Sequence, residues 1–317
     1  MPYERQISRQ HKGCFLFLVN QSRTMLEPIG GGGRRKCDEA ASQVNAWLYN
    51  MTIRATGSDG IRDWMDVGVL GYRTDDEGKP IIESAFQGAL ADRSLASVVD
   101  LGEHPARVEQ VIRRFVDEET EEILDWSADQ PVWVDPKAEG GAPMCRALHE
   151  AFQLLQGWIS HHRDSFPPIV IHVTDGQSHD GDPTSYADAL KNLATSDGNV
   201  LLFNGHFSRS AVDPVIFPSS REMLPDAAAR LSFDLSSRLP APLFKMAVSQ
   251  GFELQPGARG MAFNTDMTAC IKGRPINNFP EFSSRLGRRY SSSRARACRT
   301  GSDRIRGTAR SLGVSGG

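Results

Sequence analysis

The stretch "CFLFLVNQSRT", residues 14–24, decides the fold. Apolar residues run without interruption from Cys14 to Val19, and five polar ones follow at once: Asn20, Gln21, Ser22, Arg23 and Thr24. An apolar run of this length without alternation marks a strand buried on both faces, as the strands of a parallel sheet are. Three other stretches read the same way: "DVGVLGY" from Asp66, "PIVIHVTDG" from Pro168 and "NVLLFNGHF" from Asn199.

Helical spacing fills the intervals. Ala40, Ala41, Val44, Trp47, Leu48 and Met51 lie on one helix face, and Met144, Leu148, Phe152, Leu155 and Ile159 on another, with Pro143 at the first helical position. Strands alternating with helices predict an α/β fold, a doubly wound, mostly parallel central sheet with helices on both faces, Rossmann-like in architecture. Such a sheet binds ligands outside the carboxyl ends of its strands. The residues there are "NQSRT" after the first strand, "TDGQSHDGD" with Asp175 after the third, and the loop "GGAP", Gly140 to Pro143, ahead of the second helix.

These three pieces, "NQSRT", "GGAPM" and "VTDG", resemble in order and separation the metal-ion-dependent adhesion site of the von Willebrand factor type A (vWA) family, whose pattern is DxSxS, GGTP and TDG. "ATSDGNVLLFN" and "ARGMAFNTD" are similar to stretches of bacterial cytoplasmic members, and the resemblance covers roughly residues 8 to 270. It implies a doubly wound α/β fold. It also implies a site where magnesium, which takes about six oxygens in near-octahedral geometry, leaves one position open for a partner's acidic group. Position by position, Asn20 stands for the first Asp, Ser22 and Thr24 for the two hydroxyls, Ala142 for Thr, and Asp175 for the second Asp. Asn20 has lost a negative charge. Two unit charges 4 to 5 Å apart at an effective dielectric near 20 interact by roughly 3 to 4 kcal/mol, so binding should weaken a few hundredfold. Ala142 lacks a hydroxyl and, with it, a helix cap worth about 1 kcal/mol. Arg23 adds a fixed positive charge in the same loop, and its guanidinium is expected either to face solvent or to pair with a partner carboxylate in place of the metal.

The resemblance therefore implies a non-enzymatic protein-interaction module, with the partner bound through Asn20, Ser22, Arg23, Thr24, Ala142 and Asp175. Magnesium at Asn20, Ser22, Thr24 and Asp175 is expected to be weak or lost. The alternative is a working magnesium-dependent site in a bacterial signalling or stress-response assembly.

Other features point elsewhere and are weaker. "GGGGRRK", Gly30 to Lys36, lacks the G-x-x-x-x-G-K-[ST] pattern of a phosphate loop and reads as a flexible connection. His179, Asp180 and Asp182 could line the site or serve a metal-dependent hydrolase, but no G-x-S-x-G nucleophile motif is present. His172, inside a strand, reads as a core histidine. The acidic run "DEETEEILD", Asp117 to Asp125, reads as a solvated helix or loop. Five scattered cysteines without CxxC spacing, and an apolar start too short for a signal peptide or a membrane span, lead us to expect a reduced, cytoplasmic setting.

The formal charge of −3 hides a division. Residues 281–317 hold nine arginines against Glu281 and Asp303, about +7, which leaves about −10 for the rest. We accordingly divide the chain into a vWA-like domain, 1–275, and an Arg/Ser/Gly-rich tail, 276–317, expected to be disordered. The break in texture after "ACIKG" is what an evolved tail or a reading-frame change would each leave. Specific nucleic-acid binding through the tail is not favoured, since it has few aromatics, Phe279, Phe282 and Tyr290, and no fold of its own is expected.

Overall fold

A computed structural model describes residues 2–116 and 123–265. The tail from residue 276 and residues 117–122 of the acidic run lie outside that range.

The predicted strands and helices form. One eight-stranded sheet contains β1 (Gly13–Asn20), β2 (Met65–Thr74), β3 (Pro80–Ser84), β4 (Ala96–Ser97), β5 (Ile169–Thr174), β6 (Leu201–His206), β7 (Val215–Ile216) and β8 (Met261–Phe263). Its order is β7-β8-β6-β5-β1-β2-β3, with β4 on β2. The pairs β1–β2, β1–β5, β5–β6 and β6–β8 are parallel, while β3, β4 and β7 pair antiparallel at the margins. The helices are α1 (Lys36–Ala55), α2 (Val98–Glu103), α3 (Met144–His161), α4 (Thr184–Asn192), α5 (Ala227–Leu235) and α6 (Ala241–Ser249).

The double burial of β1 follows from the period of two along a strand. Phe15, Phe17 and Val19 pack with Val44, Trp47 and Leu48 of α1 on one face, while Cys14, Leu16 and Leu18 pack with Leu148, Ala151 and Leu155 of α3 on the other. Each large apolar side chain buried this way contributes about 1.5–3 kcal/mol. Crossing from α1's face to α3's, the chain passes from β2 on one side of β1 to β5 on the other. The switch point of the winding thus falls between β1 and β5, where their carboxyl ends leave a crevice.

Two expectations are corrected. Ile123 to Asp125, read as part of a solvated helix or loop, instead open a strand, Ile123–Val132, which pairs with Arg107–Val116 in a separate two-stranded sheet. Ile123, Leu124 and Trp126 carry strand propensity that the flanking carboxylates do not override. The central sheet lies in a compact unit that runs through Glu109 and resumes at Gln130, whereas Gln110–Asp129 falls in a second unit. In addition, α3 begins at Met144 with Pro143 as its N-cap, so Ala142 stands one residue outside the cap. The cap is supplied from elsewhere: Asp180 accepts from the backbone N–H groups of Cys145 and Arg146, at 3.0 and 2.9 Å.

His172 is a core histidine, fully buried in β5. Its Nδ1 lies 2.8 Å from Asn204 Oδ1 and its Nε2 2.8 Å from the Tyr72 hydroxyl. His206, at the end of β6, has its Nδ1 2.9 Å from Ser232 Oγ and stacks on Phe263. Burial, which disfavours the imidazolium, pushes both histidines down from 6.5 to about 4. Below pH 6.5 the unfolded chain takes up two protons that the folded chain refuses. Stability is therefore full above that pH and is lost as pH falls toward 4. Between pH 6.5 and 5, each histidine should remove about 1 kcal/mol of unfolding free energy per pH unit, measurable by urea denaturation. A flat stability profile across that window would show that these rings titrate normally in the fold.

Candidate functional site

The three loops singled out in the sequence meet at the crevice between β1 and β5. Asn20, the last residue of β1, is almost fully buried and uses both ends of its amide. Its Nδ2 donates to Asp175 Oδ1 at 2.9 Å, and its Oδ1 accepts from the Ser22 backbone N–H at 2.9 Å. The Ser22 and Thr24 hydroxyls lie 3.0 Å apart, with Ser22 buried and Thr24 half-buried. The short helical turn Arg23–Leu26 follows.

The "GGAP" loop is tied to both neighbours. Arg23 N–H donates to the Gly140 carbonyl at 3.0 Å, Glu139 N–H to the Gln21 carbonyl at 2.7 Å, and Gly141 N–H to Thr74 Oγ1 at 2.7 Å. Gly140 has φ +58° and lies against the Thr74 carbonyl so closely that a Cβ there would overlap it, so a left-handed conformation and the close approach both require glycine. His179 closes the loop from the third side. Its Nδ1 accepts from Ala142 N–H at 3.0 Å and its own N–H donates to the Ala142 carbonyl at 2.9 Å. Ala142 is fully buried and offers only a methyl group.

Arg23 is exposed, and among the described residues its guanidinium has no hydrogen bond or ion pair. The cation that does sit in the crevice is Lys36. Its Nζ donates to Asp175 Oδ2 at 3.3 Å and to Glu27 Oε2 at 2.9 Å, with only 4% of its side chain exposed. Glu27 is held below the usual carboxylate range, chiefly by its bond to Lys36, and its other oxygen accepts from Arg209 at 3.1 Å.

The glycine run explains how Lys36 comes to be there. Ile29 N–H donates to the Arg34 carbonyl at 3.0 Å and Pro28 bridges to Arg35, so Gly30 to Gly33 form a tight excursion whose ends meet. Gly30 and Gly31 take positive φ within it. Lys36 N–H then donates to the Glu27 carbonyl at 3.0 Å, which sets the first residue of α1 beside Glu27. "GGGGRRK" is therefore a closed loop with an anchored end rather than a flexible connection.

Lys36 is the functional residue that sequence reasoning missed. A signal was available: a lysine in the first turn of a helix opposes the macrodipole and needs a carboxylate nearby. Arg73, buried at the end of β2, was also missed. It pairs with Glu83 at 2.7 Å and with Glu139 at 3.3 Å, adding a further hold on the loop before Ala142.

The donor set does not fit a magnesium ion. Magnesium needs oxygens with lone pairs turned toward it. Here Asn20 presents N–H to the shared position, its oxygen is occupied by Ser22 N–H, Ala142 offers no oxygen, and an ammonium already lies on Asp175. A divalent ion about 4 Å from that ammonium, at an effective dielectric near 20, meets a repulsion on the order of 8 kcal/mol.

No family model matches the chain, and no curated protein does either. Among solved structures, an aerotolerance-related membrane protein from Bacteroides fragilis is similar at 8% identity over 70% of this chain and 87% of that one, with a TM-score of 0.32. The open conformation of the pilus adhesin SpaC from Lactobacillus rhamnosus GG matches at 13% identity over 53% and 15%, TM-score 0.29. The vWF domain of the type V pili tip protein Mfa5 from Porphyromonas gingivalis matches at 10% identity over 53% and 39%, TM-score 0.27. These likenesses are low, and the fold class rests on the chain's own strand order and register.

Removing Lys36 leaves Asp175 as a buried charge with no counter-ion. Lys36→Met should therefore cost about 3–5 kcal/mol of unfolding free energy, and the double variant Lys36→Met/Asp175→Asn should recover most of it. Urea denaturation of the two variants beside the parent checks this. A single variant as stable as the parent would mean that the pair contributes nothing.

Proposed function

We propose that this chain is a non-enzymatic protein-interaction module of von Willebrand factor A type, which binds its partner at the loops of Asn20 to Thr24, Gly140 to Ala142 and Asp175 without needing magnesium. The observation that carries this reading is the Asn20 amide on Asp175 Oδ1, with an ammonium on the other oxygen. The site keeps the loop architecture of an adhesion site while its charge is balanced by protein groups. Arg23, exposed beside that site, is the anchor we assign to a partner's acidic group, since a guanidinium forks onto a carboxylate.

Two features weigh against catalysis. The Nδ1 of His179 is committed to a backbone amide, and burial pushes the Cys145 thiol up, away from the nucleophilic thiolate. A reducing, cytoplasmic setting belongs to the same proposal and is supported by the free, buried thiols of Cys14, Cys37 and Cys145.

Calorimetric titration of the full chain with magnesium and manganese tests the metal half of the reading. No binding heat is expected up to about 10 mM, and no rise in thermal midpoint on metal addition. The triple variant Asn20→Asp/Ala142→Thr/Lys36→Ala should acquire both. Native binding that Asp175→Ala abolishes would instead establish the magnesium-dependent alternative. The interaction half is tested by selecting peptides from a displayed library on the immobilised protein in chelator. Acidic sequences whose affinity falls about tenfold with Arg23→Ala are expected, the size of one lost charge-assisted pair. Selected peptides indifferent to all three loops would refute the assignment.

A further inference from the structure

Glu27 is placed unlike the other carboxylates of the crevice. Asp175 is buried and fixed by Asn20 and Lys36, and Asp226 is fixed by Ala229 N–H at 2.8 Å and Ser208 Oγ at 3.3 Å. Glu27 has a side chain 35% exposed and is held by two cations, Lys36 at 2.9 Å and Arg209 at 3.1 Å. With Lys36, Asp175 and Arg209 it lines a cleft of about 410 Å³ between the loop after β1 and the loop after β6. An ammonium has three donors, and two of those on Lys36 are placed.

From this arrangement we infer that the cleft is a receptor for a carboxylate side chain of a partner protein, with Lys36 and Arg209 as its cations, and that Glu27 is a resident carboxylate which the partner displaces. The inference rests on the interaction-module reading and adds to it the receiving residues and a self-occupied resting state. Exchanging one carboxylate for another keeps both cations paired, and the displaced Glu27 carboxylate, 35% exposed already, turns to water. Lys36 supplies the deep contact and cannot swing away, because it is fixed at the start of α1 and retained by Asp175. Arg209, with 68% of its side chain exposed, supplies the outer contact and can follow an incoming group. Charge at the cleft agrees. With Glu27 turned to water, Lys36 and Arg209 balance Asp175 and Asp226 within the cleft, while His206 is neutral near pH 7, so the entering carboxylate is opposed only by the solvent-screened charge of Glu27 itself.

A self-occupied site binds with an affinity reduced by the fraction of time it is open. If Glu27 covers the cations nine-tenths of the time, neutralising it should raise affinity about tenfold. The probes are two acetylated, amidated pentapeptides, Gly-Ser-Glu-Ser-Gly and Gly-Ser-Gln-Ser-Gly, titrated into the labelled full chain in carboxylate-free buffer and followed by amide chemical shifts. The glutamate peptide should bind Glu27→Gln about tenfold more tightly than the parent, shifting the amides of Lys36, Ser208 and Arg209, and the glutamine peptide should bind neither. Arg209→Gln, a change at an exposed position, should weaken the glutamate peptide and keeps the test decisive should Glu27→Gln fold poorly. Equal affinity of parent and Glu27→Gln, with shifts confined to Arg23 and Gly141, would overturn the inference while leaving the module reading in place. Absence of any shift in the loops at this edge, in every variant, would remove both the inference and the acidic-partner reading.

Discussion

The ion pair between Lys36 and Asp175 sets the character of the crevice. A buried carboxylate must find partners for both oxygens, and in this chain one accepts from the Asn20 amide and the Gln177 backbone N–H while the other meets the Lys36 ammonium. Desolvating both charges costs several kcal/mol, which their mutual attraction offsets only when the geometry is fixed. That requirement reaches outward. Lys36 is fixed because it opens α1 and because the glycine excursion returns the chain to Glu27. Asn20 is fixed because β1 is bound on both sides by parallel neighbours.

The same geometry separates holding from receiving. The backbone ties of Arg23 to Gly140, Glu139 to Gln21, Gly141 to Thr74 and His179 to Ala142 lock three loops together without using the exposed faces of Arg23 or Arg209. A surface assembled this way is rigid beneath and charged above, and a rigid surface gives up little entropy when a partner settles on it. The cations of this edge meet solvent by different routes: Arg23 and Arg209 directly, and Lys36 only past Glu27.

Much of the architecture was legible because it depends on patterns that a single chain displays. The runs Cys14–Val19 and Ile169–Val173 contain no polar position except His172, and only a strand covered on both faces tolerates that, so the parallel sheet and its flanking helices could be read directly. The convergence of Asn20, Ala142 and Asp175 was legible for a related reason, since winding rules carry strand ends to one edge. The illegible parts are the ones decided by pairing across long sequence distance. Nothing local marks Lys36 as the partner of Asp175, 139 residues away. Nor does anything local show Asp180 capping a helix that begins 36 residues earlier, or the pairing that makes Ile123 to Asp125 the start of a strand.

Asn20 and Lys36 make sense only together. With an aspartate at position 20, Asp175 would face a second carboxylate across the crevice, and one ammonium could not neutralise both; a divalent ion would be required. With asparagine there, a single positive charge suffices, and the amide supplies the hydrogen bond that a metal ligand would have lacked. A lysine at the start of α1 is then no longer an adverse charge at the positive end of a helix, because Asp175 and Glu27 outweigh the macrodipole, an effect of roughly 0.3–1 kcal/mol. Charge balance at the crevice thus accounts for the asparagine that ends the strand and for the lysine that opens the helix, and it leaves Glu27, the carboxylate in excess, as the group most readily exchanged.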